Sequence, residues 1–101
     1  MSVINVTDTN FESEVMKSEK TVLVDFFATW CGPCRIMSPV IDEIAQERSD
    51  IKVCKVDVDE AEDTAMQLGI MSIPTIMVFK NGEVTKTFVG VTSKDEIAAS
   101  L

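Results

Sequence analysis

The chain has 101 residues, 46% hydrophobic and 26% charged, which suits one compact domain over residues 1–101 and leaves no room for a second. Seventeen acidic side chains against nine basic ones give a formal charge of −8, which argues against nucleic acid or an anionic membrane as the partner. There is no histidine, so the commonest general base and the commonest metal ligand are both missing from any chemistry the chain performs.

Val3 to Val6 reads as a short first strand, and Thr9-Asn10-Phe11-Glu12 matches a capping box opening a helix with Phe11 and Val15 on one face. Thr21 to Phe27 is a nearly continuous apolar run with β-branched members, as in a strand covered on both faces, and Asp25 alone interrupts it. From Cys31 the period becomes helical: Met37, Val40, Ile41 and Ile44 fall on one side, while Asp42, Glu43, Gln46 and Glu47 face away. Pro33 suits the first turn of this helix, whereas Pro39 lies inside it and predicts a kink.

Ile51 to Val58 reads as a second buried strand, followed by a helix that starts at Asp59-Glu60-Ala61-Glu62 and ends at Gly69. Thr75 to Phe79 and Val84 to Val89 flank Lys80-Asn81-Gly82-Glu83, whose central Asn-Gly predicts an antiparallel hairpin. Ser93-Lys94-Asp95-Glu96 is a second capping box, opening a short last helix with Ile97 and Leu101 on its apolar side. The order β-α-β-α-β-α-β-β-α predicts an α/β fold, a mixed sheet with helices on both faces.

Three cysteines is an odd number and does not suggest the disulfide framework of a small secreted domain. Met1 to Thr9 holds no basic stretch followed by an apolar core, and no apolar run approaches a bilayer span, so a soluble cytoplasmic protein is expected.

The motif that carries chemistry is Trp30-Cys31-Gly32-Pro33-Cys34, set where a buried strand ends and a helix begins. A cysteine at a helix N-terminus faces unpaired backbone N–H groups and the positive end of the helix dipole, and both favour thiolate over thiol. Cys31 is therefore expected to be the nucleophile. Cys34, one turn further in, is expected to be the shielded resolving thiol that closes a small disulfide ring with Cys31. A zinc half-site is the competing reading of Cys-x-x-Cys, but the second pair is missing and Cys54 supplies only a third ligand, so no metal is expected.

Alternation places Leu23, Asp25 and Phe27 on one strand face. Asp25 is then either a structural aspartate satisfied by hydrogen bonds or a desolvated carboxyl with raised pKa, able to exchange a proton with Cys34 near neutral pH. Lys55 shares parity with Ile51 and Val53 and is expected either to pair with Asp25 beneath the motif or to snorkel at the sheet edge. Cys54 has the opposite parity and reads as a buried structural cysteine, a redox-sensing thiol being the lesser alternative. Ser72-Ile73-Pro74-Thr75 precedes a strand, where proline occupies the strand start.

Taken together, Trp-Cys-Gly-Pro-Cys, the Val-Asp-Phe run around Asp25, and Ile-Pro-Thr at 73–75, with Pro39, Lys55 and Gly90, resemble the thioredoxin family from about Val3 to Leu101. The resemblance implies a five-stranded mixed sheet flanked by four helices and a cis bond before Pro74. It also implies a target-binding surface around Trp30, Gly32, Pro33, Ile73, Pro74 and Gly90, with Asp25 assisting Cys34 and no bound cofactor. As partners it implies disulfide-containing proteins and a thioredoxin reductase, with the domain acting as a monomer. Phe27 stands where the family most often has tryptophan and Arg35 where lysine is common, while Met71 and Ser72 replace a frequent arginine and glycine. The expected activity is disulfide reduction, with a thiol oxidase or isomerase and a redox-independent binding module as rivals. Gly32-Pro33 between the cysteines favours reduction, because oxidising relatives commonly carry a histidine there.

Overall fold

The computed structural model describes residues 3–101 as β1 (Ile4–Val6), a π-helical turn (Glu12–Met16), β2 (Val22–Phe27), α1 (Gly32–Glu47), β3 (Lys52–Asp57), α2 (Glu62–Gln67), β4 (Thr75–Lys80), β5 (Glu83–Val89) and α3 (Lys94–Ala99). The strands form one sheet in the order β1-β3-β2-β4-β5. β3 runs parallel to both β1 and β2, while β4 is antiparallel to β2 and to β5. The expected mixed sheet and element order are both present.

β2 holds the centre because its residues are apolar on both faces. Val22, Val24 and Phe26 lie in one core with Cys54, Val56, Met77 and Phe79, covered by Phe11 and Val15 of the first turn and by Ala61 before α2. Phe11 and Phe79 meet edge to face with ring centroids 5.8 Å apart, a favoured aromatic geometry. Leu23 belongs to the other core with Val53, Ile76 and Val78, covered by Met37, Ile41, Ile44 and Ala45 of α1 and Ile97 of α3. Asp25 shares this second face by alternation.

The hairpin between β4 and β5 turns through Asn81 and Gly82, both in the left-handed region (φ 53° and 79°), as a two-residue Asn-Gly turn requires. A Cβ on Gly82 would come within 2.9 Å of the Met16 carbonyl oxygen, so glycine serves both the turn and a close approach to the first helical turn. Beyond the turn the register slips between Val78 and Phe79, which pair with Lys86 and Val84 and leave Thr85 as the extra residue of a bulge. At the other end of the chain Ser93 caps α3 as expected, its hydroxyl accepting the Glu96 N–H at 3.2 Å.

Two helix starts differ from the sequence expectation. The Thr9 capping box does not form: the Asn10 side chain accepts the Thr7 N–H at 2.7 Å, and the turn that follows closes from Lys17 N–H to the Glu12 carbonyl. Asp59 does not start α2, which begins three residues later at Glu62. Its N-terminus is satisfied from a distance instead. Asp8, in the loop after β1, accepts the Thr64 N–H at 2.8 Å and the Thr64 hydroxyl at 2.6 Å. These bonds hold the Asp8 carboxyl below its ordinary pKa, so the stability they supply is present above the usual carboxylate range and is lost on acidification. Asp8→Ala is expected to lower the urea midpoint at pH 7, with the deficit closing as the pH falls through the carboxylate range.

Candidate active site

β2 ends at Phe27, and residues 28–31 carry the chain to α1, whose N-cap is Cys31 in an extended conformation (φ −93°, ψ 115°). Gly32 and Pro33 form the first helical positions, where the proline's missing N–H costs nothing. Cys31 and Cys34 are joined as a disulfide, their Cα atoms 5.3 Å apart, within the range such a bridge needs. The Cys31 sulfur also accepts the backbone N–H of Cys34 at 3.2 Å, the bond an N-cap side chain normally makes.

Cys34 is buried, as a shielded thiol would be, and in this disulfide-bonded form Cys31 is buried as well: they are 4% and 5% exposed. What distinguishes them is the helix terminus. Cys31 Sγ lies over the free N–H groups and receives one, whereas Cys34 sits inside the first turn. Ala28 packs with both sulfurs, and Phe27, Val58 and Ile73 border the cluster.

Trp30 stands out from the surface at 68% exposure, and its indole N–H donates to Asp59 Oδ2 at 2.8 Å. Sequence reasoning gave Asp59 a helix-capping role and missed this contact, which joins residues 29 positions apart. Ile73-Pro74 is a cis peptide, and Pro74 is buried with its carbonyl accepting the Gly90 N–H at 2.8 Å. Gly90 has φ 90°, closed to most side chains, so glycine is what lets the β5 exit lie beside Pro74. A groove of about 150 Å³ runs between Trp30, Val58, Ile70, Met71, Ser72 and Ile73, and Met71 on its rim is 94% exposed.

Beneath the cysteines lies a cavity of about 260 Å³ lined by Asp25, Phe27, Ala28, Thr29, Cys34, Arg35, Ser38 and Lys55. It puts the Asp25 carboxyl and the Cys34 sulfur on one wall system. Asp25 is 1% exposed and its Oδ1 accepts no hydrogen bond from the described residues. Burial pushes its pKa from 3.8 up to about 6, with Lys55 pulling it down and Asp42 adding to the rise.

Lys55 stands opposite Asp25 in the β2–β3 register, and of the two expected arrangements the direct ion pair with Asp25 is absent. The ammonium donates instead to the Ser38 hydroxyl at 2.6 Å and pairs with Asp42 at 3.1 Å. The physical reason is competition, since α1 offers the Ser38 hydroxyl and the half-exposed Asp42 carboxylate, where the ammonium gives up less of its hydration than it would beside the buried Asp25. Cys54 lies on the opposite sheet face, fully buried, and burial pushes its thiol up to about 12. A larger hollow of about 530 Å³, lined by Lys17, Lys20, Ile51 and Lys52 among others, lies at the far end of the parallel strands and holds none of these groups.

Comparison with known proteins agrees with this geometry. The family model for thioredoxin matches residues 2–101. The chain is 48% identical over 100 residues to a thioredoxin of Pseudomonas aeruginosa, covering 98% of this chain and 93% of that one. It is 51% identical to a thioredoxin of Pyropia yezoensis over 102 residues (100% and 95%), and 54% identical to thioredoxin 1 of Synechococcus elongatus over 97 (95% and 91%). The chain belongs to the thioredoxin family. A thioredoxin is a protein-disulfide oxidoreductase, and the adjacent Cys31 and Cys34 are the dithiol–disulfide pair such exchange requires.

The buried Asp25 has a cost that depends on pH. Below 3.8 the carboxyl is protonated whether the chain is folded or not; as the pH rises through about 6 the folded state must either keep the proton or bury a charge. Stability is therefore lost over that window, by about 3 kcal/mol once both values are passed. Asp25→Asn is expected to raise unfolding free energy at pH 7 to 8 by about 2 kcal/mol, with the gain disappearing below pH 4, as read from urea unfolding across pH.

Proposed function

We propose that the protein is a general protein-disulfide reductase in which Cys31 is the nucleophile, Cys34 the resolving thiol and Asp25 the proton acceptor for Cys34. The observation that carries this reading is the cavity that Cys34 shares with the buried Asp25 carboxyl, whose Oδ1 has no hydrogen-bond partner, one turn along the helix that Cys31 caps. With no histidine in the chain, Asp25 is the group at the site with a pKa near neutrality.

In the reduced protein the Cys31 thiolate attacks one sulfur of a target disulfide. A Cys31–target bond forms, the target S–S bond breaks, and the departing thiolate takes a proton from water. Cys34 then gives its proton to the Asp25 carboxylate and attacks Cys31 Sγ. The Cys31–Cys34 bond forms, the Cys31–target bond breaks, the second target sulfur leaves as a thiolate that takes up the proton Asp25 gives back through solvent, and two electrons have passed from this pair to the target. The chain described here, with its disulfide closed, is the oxidised end of that cycle.

Trp30, Gly32, Pro33, Ile73, Pro74 and Gly90 form the surface on which the target lies, with Ile73 packed against the cysteine cluster. The apolar groove beside Ile73 suits a target side chain, and the Pro74 to Gly90 contact supports the backbone there. A thioredoxin reductase restores the dithiol. Net reduction requires a compartment whose thiols are kept reduced, so the protein works as a cytoplasmic, monomeric electron carrier in redox homeostasis.

The deciding measurement is the equilibrium of the Cys31–Cys34 pair against dithiol buffers, followed by fluorescence of Trp30, the single tryptophan of a chain without tyrosine. A potential clearly below that of the glutathione pool is expected; a value in the range of disulfide isomerases would overturn the reductive direction. Cys34→Ser is expected to accumulate the mixed disulfide with a model target, while Cys31→Ser forms none, as read by mass spectrometry under non-reducing conditions. Asp25→Asn is expected to form the mixed disulfide at the normal rate but to resolve it at least about tenfold more slowly at pH 7, in stopped-flow measurements. Unchanged resolution from pH 6 to 9 would remove Asp25 from the mechanism.

A further inference from the structure

Cys34, Ser38 and Asp42 are spaced four residues apart along α1 and so lie in one line on the helix, above the strand positions of Asp25 and Lys55. The first member of this line is a redox thiol. The other two bind the Lys55 ammonium, through the Ser38 hydroxyl at 2.6 Å and Asp42 Oδ1 at 3.1 Å. Lys55 thus spends two of its three donors on α1, although Asp25, whose buried Oδ1 has no hydrogen-bond partner, stands opposite it on β2.

We propose that Asp42 and Ser38 are positioning residues for the exchange reaction, holding the Lys55 ammonium off the Asp25 carboxyl and so setting how readily that carboxyl takes a proton. The inference deepens the proposed function and rests on it for its catalytic meaning.

The surroundings of Asp25 make Lys55 the charge that matters. From β4 it meets Ile76, an apolar register partner. From α1 the cavity receives Cys34, Ser38 and Arg35, whose guanidinium is engaged by the Thr29 carbonyl at 3.2 Å. On β3, Asp57 shares the face of Lys55 but accepts the Asp59 N–H at 2.9 Å. Lys55 is held by side chains alone, on a flexible four-carbon stem, so removing its acceptors leaves Asp25 as the strongest remaining one in the cavity.

Asp42 acts twice, with the same sign. Its charge repels a second negative charge at Asp25, and its carboxylate draws Lys55 outward; both keep Asp25 protonated to higher pH. At about half exposure Asp42 carries little of the core, so its replacement tests the electrostatics without emptying a packed site.

The test is a titration of the Asp25 carboxyl by carbon-detected NMR on aspartate-labelled, oxidised full-length protein from pH 4 to 9. Asp42→Asn is expected to lower the midpoint by roughly 0.5 to 1 pH unit, and Asp42→Asn with Ser38→Ala to lower it further. Lys55→Met is expected to raise it, and in that background Asp42→Asn should lose most of its effect. Should Lys55→Met not fold, Lys55→Gln serves the same comparison. A midpoint unmoved or raised by Asp42→Asn overturns the proposal, as does an equal shift with and without Lys55, which would mean that Asp42 acts by direct repulsion alone. The pH profile of mixed-disulfide resolution separates the two readings. A profile that follows the carboxyl supports both, whereas a carboxyl that shifts while the profile stays fixed supports the clamp and overturns proton transfer by Asp25.

Discussion

A carboxyl in the middle of the central strand is the constraint on which the site depends. β2 is otherwise apolar on both faces and buried between two cores, so any residue at position 25 is withdrawn from water. An apolar residue there would give a more stable sheet, since a buried charge or an unpartnered polar group costs free energy that packing elsewhere must offset. The penalty falls in the half of the strand nearer the cysteines, where a cavity already interrupts the packing. A local loss of stability and a carboxyl pKa raised to about 6 are therefore two descriptions of one desolvated group.

The rest of the site follows from where elements end. β2 stops at Phe27 and α1 starts at Gly32, which leaves Cys31 at the N-cap with its sulfur over the first backbone N–H groups. α2 ends at Gln67, and the chain returns through Ile70 to Pro74 before β4 begins, which brings Ile73 against the sulfur cluster. β5 leaves the sheet at Val89 so that Gly90 can bond Pro74. Three separate chain segments meet at one edge of the sheet, each delivered by the exit or entry of a strand.

Periodicity made most of this legible. The burial of Phe11, Val15, Met37, Ile41, Ile44 and Ile97, the Asn-Gly hairpin and the opposite parities of Cys54 and Lys55 all follow from local pattern, because side-chain direction alternates along a strand and repeats along a helix. The misses share a cause. Asp8 on Thr64, Asp59 on Trp30 and Asp42 on Lys55 are polar contacts between residues distant in sequence or on different elements, and a carboxylate's partner is chosen by whichever donor the fold brings nearest. The Thr9 box failed for a related reason: Asn10 had a nearer donor in Thr7, and the preceding turn took the residues the cap needed. The burial of Cys31 beside Cys34 was likewise hidden, since Phe27, Val58 and Ile73, which pack against the cysteine cluster, come from three separate segments.

The position of Cys54 has a consequence for the chain as a whole. Its thiol points into the core on the far side of the sheet from Asp25 and Lys55, so the sheet acts as a partition between one sulfur and the other two. Oxidation of the folded protein consequently has a single intramolecular product, and shuffling to an alternative pairing must wait for the sheet to open. A thiol so screened, and kept neutral because burial raises its pKa to about 12, meets a soluble alkylating reagent only during such openings. The chain thus carries its own reporter of rare unfolding, one that leaves the exchange chemistry at the opposite face undisturbed.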